Sequence, residues 1–373
     1  MTAPRVEIDL GKITQNARCL VRRLSARGIS VTGVTKAVCG HPDVAKAMLD
    51  GGIADLADAR VSNVIRMRAA GVTCSISIIR APMVHETKDV INCCDASYNT
   101  ETDMILRLGS AARDQGALHN VILRVEIGDL RDGIMPEDLN DIASQVVATP
   151  GVALRGIAAD FASLGGAPPK SGDMALLSRL ADQVEGECGP YVALVSGGGS
   201  ANLAWALGEG TTGRINNLRL GEAILLGTNP VSGQPIDGLH TDAFALFAEV
   251  IEARLKPVAM LTRPSAPEYG KLELVSKCGQ RNRSILAVGQ LDTDASGLTF
   301  TAGIEFIGAT SDHTAVDTTD SPVSVGSEIK MGMNYSALMR AMSAPDVAKI
   351  VHRSLPVNGM VTDRGPQRPL RLV

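Results

Sequence analysis

The chain has 373 residues, and its 36 Lys and Arg against 40 Asp and Glu leave a formal net charge of −4, which speaks against non-specific nucleic-acid binding. With 45% hydrophobic and 20% charged residues it has a globular composition and is long enough to bury a core without disulfides or metal staples. No uncharged apolar run approaches the ~18 residues of a membrane span, and Met1–Lys12 lacks the apolar stretch of a secretory signal. Seven scattered cysteines, with Cys93 and Cys94 adjacent, suit reduced thiols in a cytoplasm. No CxxC or HExxH spacing occurs, and no metal site is expected.

Val6–Leu10 is strand-like, and Ile13, Ala17, Leu20, Val21 and Leu24 then recur at helical spacing. Strands are predicted at Ile29–Thr35, Ile53–Ala57, Ser75–Ile79, Cys94–Ser97, Asn120–Ile127, Val152–Ala158, Tyr191–Val195 and Ile215–Leu220, each separated from the next by a helix-length segment. Pro42–Leu49 is one such helix, with proline in its first turn. Eight βα units point to a (β/α)8 barrel whose site sits at the strand C-termini, and a doubly wound open sheet is the competing arrangement. Thr228–Gly238, rich in Gly, Pro and Ser, reads as a linker. Beyond it Ala243–Ala253, Gly270–Val275, Arg283–Gly289, Leu298–Ile307 and Pro322–Met331 read as strands of a small antiparallel β domain, with Ala337–Ile350 as a helix. The expected division is a barrel over 11–230 and a β domain from 1–10 and 231–373.

Four segments could carry chemistry. Lys36 ends the first barrel strand among apolar neighbours, where desolvation lowers an amine pKa and suits a Schiff-base lysine; a snorkelling surface lysine is the plainer reading. Val195-Ser196-Gly197-Gly198-Gly199-Ser200 ends a strand in three glycines and suits an anion cradle or an ordinary turn, without the spacing of a P-loop. Asn217-Leu218-Arg219-Leu220-Gly221-Glu222 closes the eighth strand; Gly221 allows close backbone approach, and an inward Arg219 needs a buried partner. Arg131, in Gly128-Asp129-Leu130-Arg131-Asp132-Gly133, could reach a substrate carboxylate bidentately or sit in a solvated loop of charge pairs. The six histidines form no local cluster; His313 beside Asp312 reads as structural, adjacent strand residues pointing to opposite faces.

Lys36, Ser200 and Arg219 on one barrel rim, preceded by Val6-Glu7-Ile8-Asp9-Leu10 and followed by Asn334-Tyr335, resemble the fold-type III pyridoxal-phosphate enzymes of the alanine racemase superfamily. Thr310-Ser311-Asp312-His313 and Ser284-Ile285-Leu286-Ala287-Val288-Gly289 are most similar to its ornithine-racemase-like branch. The resemblance implies pyridoxal 5′-phosphate on Lys36, with Arg219 at the ring nitrogen and Ser200, the backbone around Gly221 and Glu222, and Tyr335 at the phosphate. It implies racemisation of an amino acid in a head-to-tail homodimer, with Cys278 or Asp312 arriving from the partner as the second base. Cys39 stands where the family has a tyrosine after its lysine, and Val275-Ser276-Lys277-Cys278-Gly279-Gln280-Arg281 lacks the family's second catalytic tyrosine. These departures shift the expected substrate from alanine toward ornithine or another basic amino acid. A non-catalytic pyridoxal-phosphate carrier and a metal-assisted lyase or aldolase are the alternatives.

Overall fold

In the computed structural model, which describes residues 3–164, 168–261 and 274–354, strand β1 (Arg5–Asp9) leads into helix α1 (Leu10–Ser25). The Asp9 carboxylate accepts from the N–H groups of Gly11 and Lys12 at 2.9 and 3.2 Å, satisfying donors that a helix start leaves open. Ile13, Ala17, Leu20 and Leu24 form the buried stripe of α1, as their spacing predicts.

Eight parallel strands follow: β2 (Ser30–Val34), β3 (Asp55–Asp58), β4 (Ser75–Ile78), β5 (Ala96–Asn99), β6 (His119–Arg124), β7 (Val152–Ala158), β8 (Leu194–Ser196) and β9 (Asn217–Leu220). They alternate with helices α2 (Pro42–Asp50), α3 (Val61–Ala69), α4 (Thr87–Cys93), α5 (Thr102–Asp114), α6 (Leu139–Ala148), α7 (Ser171–Cys188), α8 (Leu203–Ala206) and α9 (Glu222–Leu226). β9 pairs back onto β2, from Ser30↔Asn217 to Gly33↔Leu220, so the sheet is a closed barrel and not an open one. The β8–β9 seam has a single registered pair, Ser196↔Asn217. Side chains reinforce it: Asn217 accepts from Ser196 Oγ at 2.7 Å and donates to Thr32 Oγ1 at 2.9 Å, tying three strands inside the barrel.

The second unit comprises β10 (Phe244–Leu261), β11 (Leu274–Leu286), β12 (Leu298–Thr299), β13 (Glu305–Ala309), β14 (Thr314–Asp317), β15 (Glu328–Met333), helix α10 (Tyr335–Ser343) and β16 (Ala348–His352). Its strands run in the order β12-β15-β10-β11-β14-β13, and β1 joins them, antiparallel to β10 and parallel to β16.

Several boundaries differ from the sequence reading. Arg283–Gly289 is the far end of the long strand β11, and residues 270–273 lie outside the described residues. Leu298–Ile307 splits into β12 and β13 around Gly303, whose φ of +84° turns the chain. The strand expected from Pro322 begins only at Glu328, after Gly326 at φ +85°. The helix expected over Ala337–Ile350 stops at Ser343, because Ala344 precedes Pro345 and is extended, and the rest becomes β16. α10 packs on the 3₁₀ turn Lys36–Val38, which brings the second unit to the mouth of the barrel.

Candidate active site

The C-terminal ends of the barrel strands open into a cavity of about 200 Å³, lined by Lys36, Arg131, Asp160, Ser200, Arg219, Gly221, Glu222 and Tyr335. A second lobe of about 370 Å³ shares Lys36, Arg131, Asp160 and Arg219 and adds Arg80, Arg124 and Asp132. The structure therefore gathers residues from the loops after β2, β6, β7, β8 and β9, with Tyr335 supplied by α10.

Charge organises this mouth. Arg219, on β9, is 4% exposed and donates through Nη2 to Asp160 Oδ1 at 2.6 Å and to the carbonyl of Ala159 at 2.7 Å. Asp160 Oδ2 lies 2.9 Å from Arg131 Nη2. It also lies 3.0 Å from Arg124 Nε, an ion pair whose angle falls short of a hydrogen bond. Burial pushes the Asp160 carboxyl up, but Arg219, Arg124, Arg131 and Lys36 together outweigh it and bring its pKa down to about 2. The ring of Tyr98, buried on β5, sits under both deep guanidinium groups, 4.9 Å from Arg219 Cζ and 5.6 Å from Arg124 Cζ. Arg219 Nη1 is buried and has no hydrogen-bond partner.

Lys36 follows β2 by two residues, in the turn that Thr35 anchors by donating to the buried Asp58 at 2.6 Å. Burial lowers the pKa of the Lys36 amine; Asp160 opposes that change, while Arg131, Arg219 and Arg124 reinforce it. An amine so placed is a nucleophile and a proton carrier. Across the cavity Ser200 Oγ accepts from the N–H of Ala223 at 3.2 Å, joining the glycine loop to the turn of Gly221. A Cβ at Gly221 would stand 3.3 Å from Val34 Cβ, so glycine keeps that backbone close to the cavity. Burial, then the negative charges of Glu222 and Asp58, raise the Tyr335 pKa, and its hydroxyl stays a donor. Among the described residues the non-glycine positions with positive φ are Cys39, Leu130 and Ala162, all in loops at this rim.

Comparison with known proteins decides the family. Residues 8–230 match the model of the alanine racemase N-terminal domain. A lysine racemase of Thermotoga maritima is 33% identical over 95% of this chain and 100% of its own length. An ornithine racemase of Acetoanaerobium sticklandii is 31% identical over 93% of this chain and 99% of its own. The chain belongs to the alanine racemase family. It is an amino-acid racemase. The alanine racemase from D-cycloserine producing Streptomyces lavendulae has the same fold, with a TM-score of 0.74 at 19% identity over 95% of this chain and 99% of that one.

The racemase cavity gathers Lys36, Arg131, Ser200, Arg219, Gly221, Glu222 and Tyr335, but not every residue the sequence singled out. Asp312 lies on the second unit between β13 and β14, exposed, and does not line the cavity of its own chain. Its Oδ1 meets His313 Nδ1 at 2.8 Å: the two occupy a turn, so neighbouring side chains converge instead of facing apart as in a strand. Cys278 lies on β11, and its side chain is outside the described residues. Among the described residues no group of three or more His, Cys, Asp or Glu is arranged to hold a metal ion. The sequence reading missed Asp160, Arg124 and Tyr98. One signal was available: an inward Arg219 requires a buried anion, and Asp160 stands just beyond the end of β7.

Proposed function

We propose that this racemase uses pyridoxal 5′-phosphate to interconvert the L- and D-forms of a basic amino acid of the lysine and ornithine class. One observation carries the reading. A desolvated lysine amine, an arginine with an unpartnered N–H and a glycine–serine cradle closed by a tyrosine line one cavity. They do so in a chain that follows the lysine and ornithine racemases over 93–95% of its length.

The residues fit that cofactor. Arg219 Nη1 would offer its free hydrogen bond to the ring nitrogen, and a guanidinium, which does not give up its proton near neutral pH, would leave that nitrogen unprotonated. Lys36 would hold the aldehyde carbon. Ser200, the backbone N–H groups at Gly221 and Glu222, and the Tyr335 hydroxyl would hold the phosphate. When bound, the cofactor supplies an electron sink that acidifies the Cα–H of the substrate. Lys36 Nζ takes or returns that proton on one face. Three of the five N–H donors of Arg131 are engaged, by Asp132, Asp160 and Ser163, and two remain for a substrate carboxylate. The opposite face needs a second proton carrier, and we assign it to Cys278 or Asp312 of a partner subunit.

That assignment requires a head-to-tail homodimer, in which the barrel, 11–230, faces the second unit, 1–10 and 231–373, of its partner. Exposed apolar residues support it: Leu130 and Leu164, beside the mouth, are 79% and 70% exposed, and Leu291, on the second unit, is 76% exposed. We place the enzyme in the cytoplasm, since Cys19, Cys39, Cys74, Cys93, Cys94 and Cys188 are all free thiols. No helix among the described residues is long and apolar enough to cross a membrane.

The test is loss of optical rotation of L-lysine, L-ornithine, L-arginine, L-serine and L-alanine with added pyridoxal phosphate. Lysine or ornithine is expected to racemise fastest, and Lys36→Ala to lose both turnover and the visible absorbance of bound cofactor. Borohydride labelling of a lysine other than Lys36 overturns the assignment.

A further inference from the structure

The two oxygens of Asp160 are divided between different arginines. Oδ1 takes Arg219 Nη2 at 2.6 Å, while Oδ2 takes Arg131 Nη2 at 2.9 Å and Arg124 Nε at 3.0 Å. The arginines come from β9, from the loop after β6 and from the last residue of β6, so this carboxylate ties three stretches of the rim together. Arg219 is pinned along one edge by Asp160 and Ala159 and rests on Tyr98, and this leaves Nη1 as its unpartnered donor. Arg131 is oriented by the same carboxylate together with Ser163 and Asp132.

We propose that Asp160 is a positioning residue that sets both the arginine facing the cofactor ring and the arginine facing the substrate carboxylate. It rests on reading the cavity as the cofactor site. Tight binding of the ring and tight binding of the amino acid are thus coupled through one side chain that holds both arginines.

The charges around Lys36 show a second consequence. Arg124, Arg131 and Arg219 face it from β6, the following loop and β9, and Asp160 faces it from the end of β7. Asp132, Arg80, Glu222 and Tyr335 line the same mouth. Asp160 is the carboxylate that opposes the lowering of the Lys36 amine by burial and by the three arginines. Removing it leaves those arginines unopposed, so the amine loses its proton at a lower pH.

Three readouts on the full-length protein test this. In Asp160→Asn the KM for the amino acid is expected to rise roughly tenfold or more and the Kd for pyridoxal phosphate to rise with it, since each depends on a charged hydrogen bond set by Asp160. In cofactor-stripped chain, the pH midpoint for isotope-coded labelling of Lys36, read by mass spectrometry, is expected to fall by roughly one unit or more. Asp160→Glu, which restores the charge, is expected to recover most of all three. Should Asp160→Asn fail to fold, Asp160→Asn/Arg131→Gln is compared with Arg131→Gln alone, and the midpoint is expected lower in the double variant. A folded variant with an unchanged Lys36 midpoint, or with an unchanged KM and cofactor Kd, overturns the proposal. If wild-type chain binds no pyridoxal phosphate, the proposed function falls, while the labelling midpoint still decides whether Asp160 controls Lys36.

Discussion

At the scale of single residues, the end of the cavity proposed to take the cofactor phosphate is lined by neutral donors. Ser200 contributes a hydroxyl from the glycine loop, and Tyr335 contributes a phenol that burial and nearby negative charge keep protonated. A neutral hydrogen bond is worth about 1 kcal/mol, or roughly fivefold in affinity. Ser200→Ala and Tyr335→Phe are each expected to weaken pyridoxal phosphate binding by about that factor, and together by roughly twenty-five-fold, if the two act independently. Absorbance titration measures it, and an unchanged affinity in the double variant removes both from the site. The Tyr335 contribution should not vary between pH 6 and 9, because its hydroxyl does not titrate there. Lys36, Ser200 and Arg219 were legible in the sequence because each stands at the end of a β-rich run. Asp160 was not, because a lone Asp after a strand resembles any loop aspartate until Arg219 is seen to need it.

At the scale of elements, the barrel holds polar groups inside its wall. His119 begins β6 and is 3% exposed, with Nε2 2.9 Å from Ser97 Oγ on β5. Burial lowers its pKa from 6.5 to about 4, so the fold binds the neutral ring. The sign follows from linkage. A group with a depressed folded pKa adds stability above its unfolded value, and that stability drains away as pH falls toward the folded value. His119 therefore contributes about 3 kcal/mol that is present above pH 6.5 and lost by about pH 4. Asp160 gives a second, lower step, lost as pH falls from about 4 to about 2. Denaturant midpoints measured from pH 7 to pH 4 are expected to fall steeply in wild type and less in His119→Gln. Equal slopes in the two proteins discard this account. Predicted strands overlap each barrel strand to within a few residues at either end, because parallel strands buried on both faces read as short apolar runs. β14 and β16 escaped because β14 is only four residues long with two polar positions, and β16 was read as the end of the helix expected over Ala337–Ile350.

At the scale of the whole molecule, the proposed head-to-tail dimer would supply the second proton carrier to the site. The exposed leucines Leu130 and Leu164 lie beside the mouth and Leu291 lies on the second unit, which suits two copies related by a twofold axis, the barrel of each meeting the second unit of the other. Leu291→Glu is expected to weaken the dimer by roughly tenfold or more, because a carboxylate buried without a partner costs several kcal/mol. Sedimentation velocity should then show monomer at micromolar concentration, with racemisation falling in parallel while far-UV circular dichroism is unchanged. Full activity in a monomer would show that each chain carries both proton carriers.

What the sequence by itself determined is what depends on residues close together in the chain: the alternation of strand and helix periods, the lysine turn at Lys36, the glycine run before Ser200 and the arginine of β9. Those are local, and local backbone preference and apolar spacing record them. Barrel closure was decided only in three dimensions, by β2 pairing with β9 across the ring. The Asp160–Arg219 pair joins residues 59 apart, and Tyr335 reaches the cavity only because α10 docks on the Lys36 turn. The physical reason is that a buried charge chooses its partner by proximity after the chain has packed, and separation along the sequence carries no record of that distance.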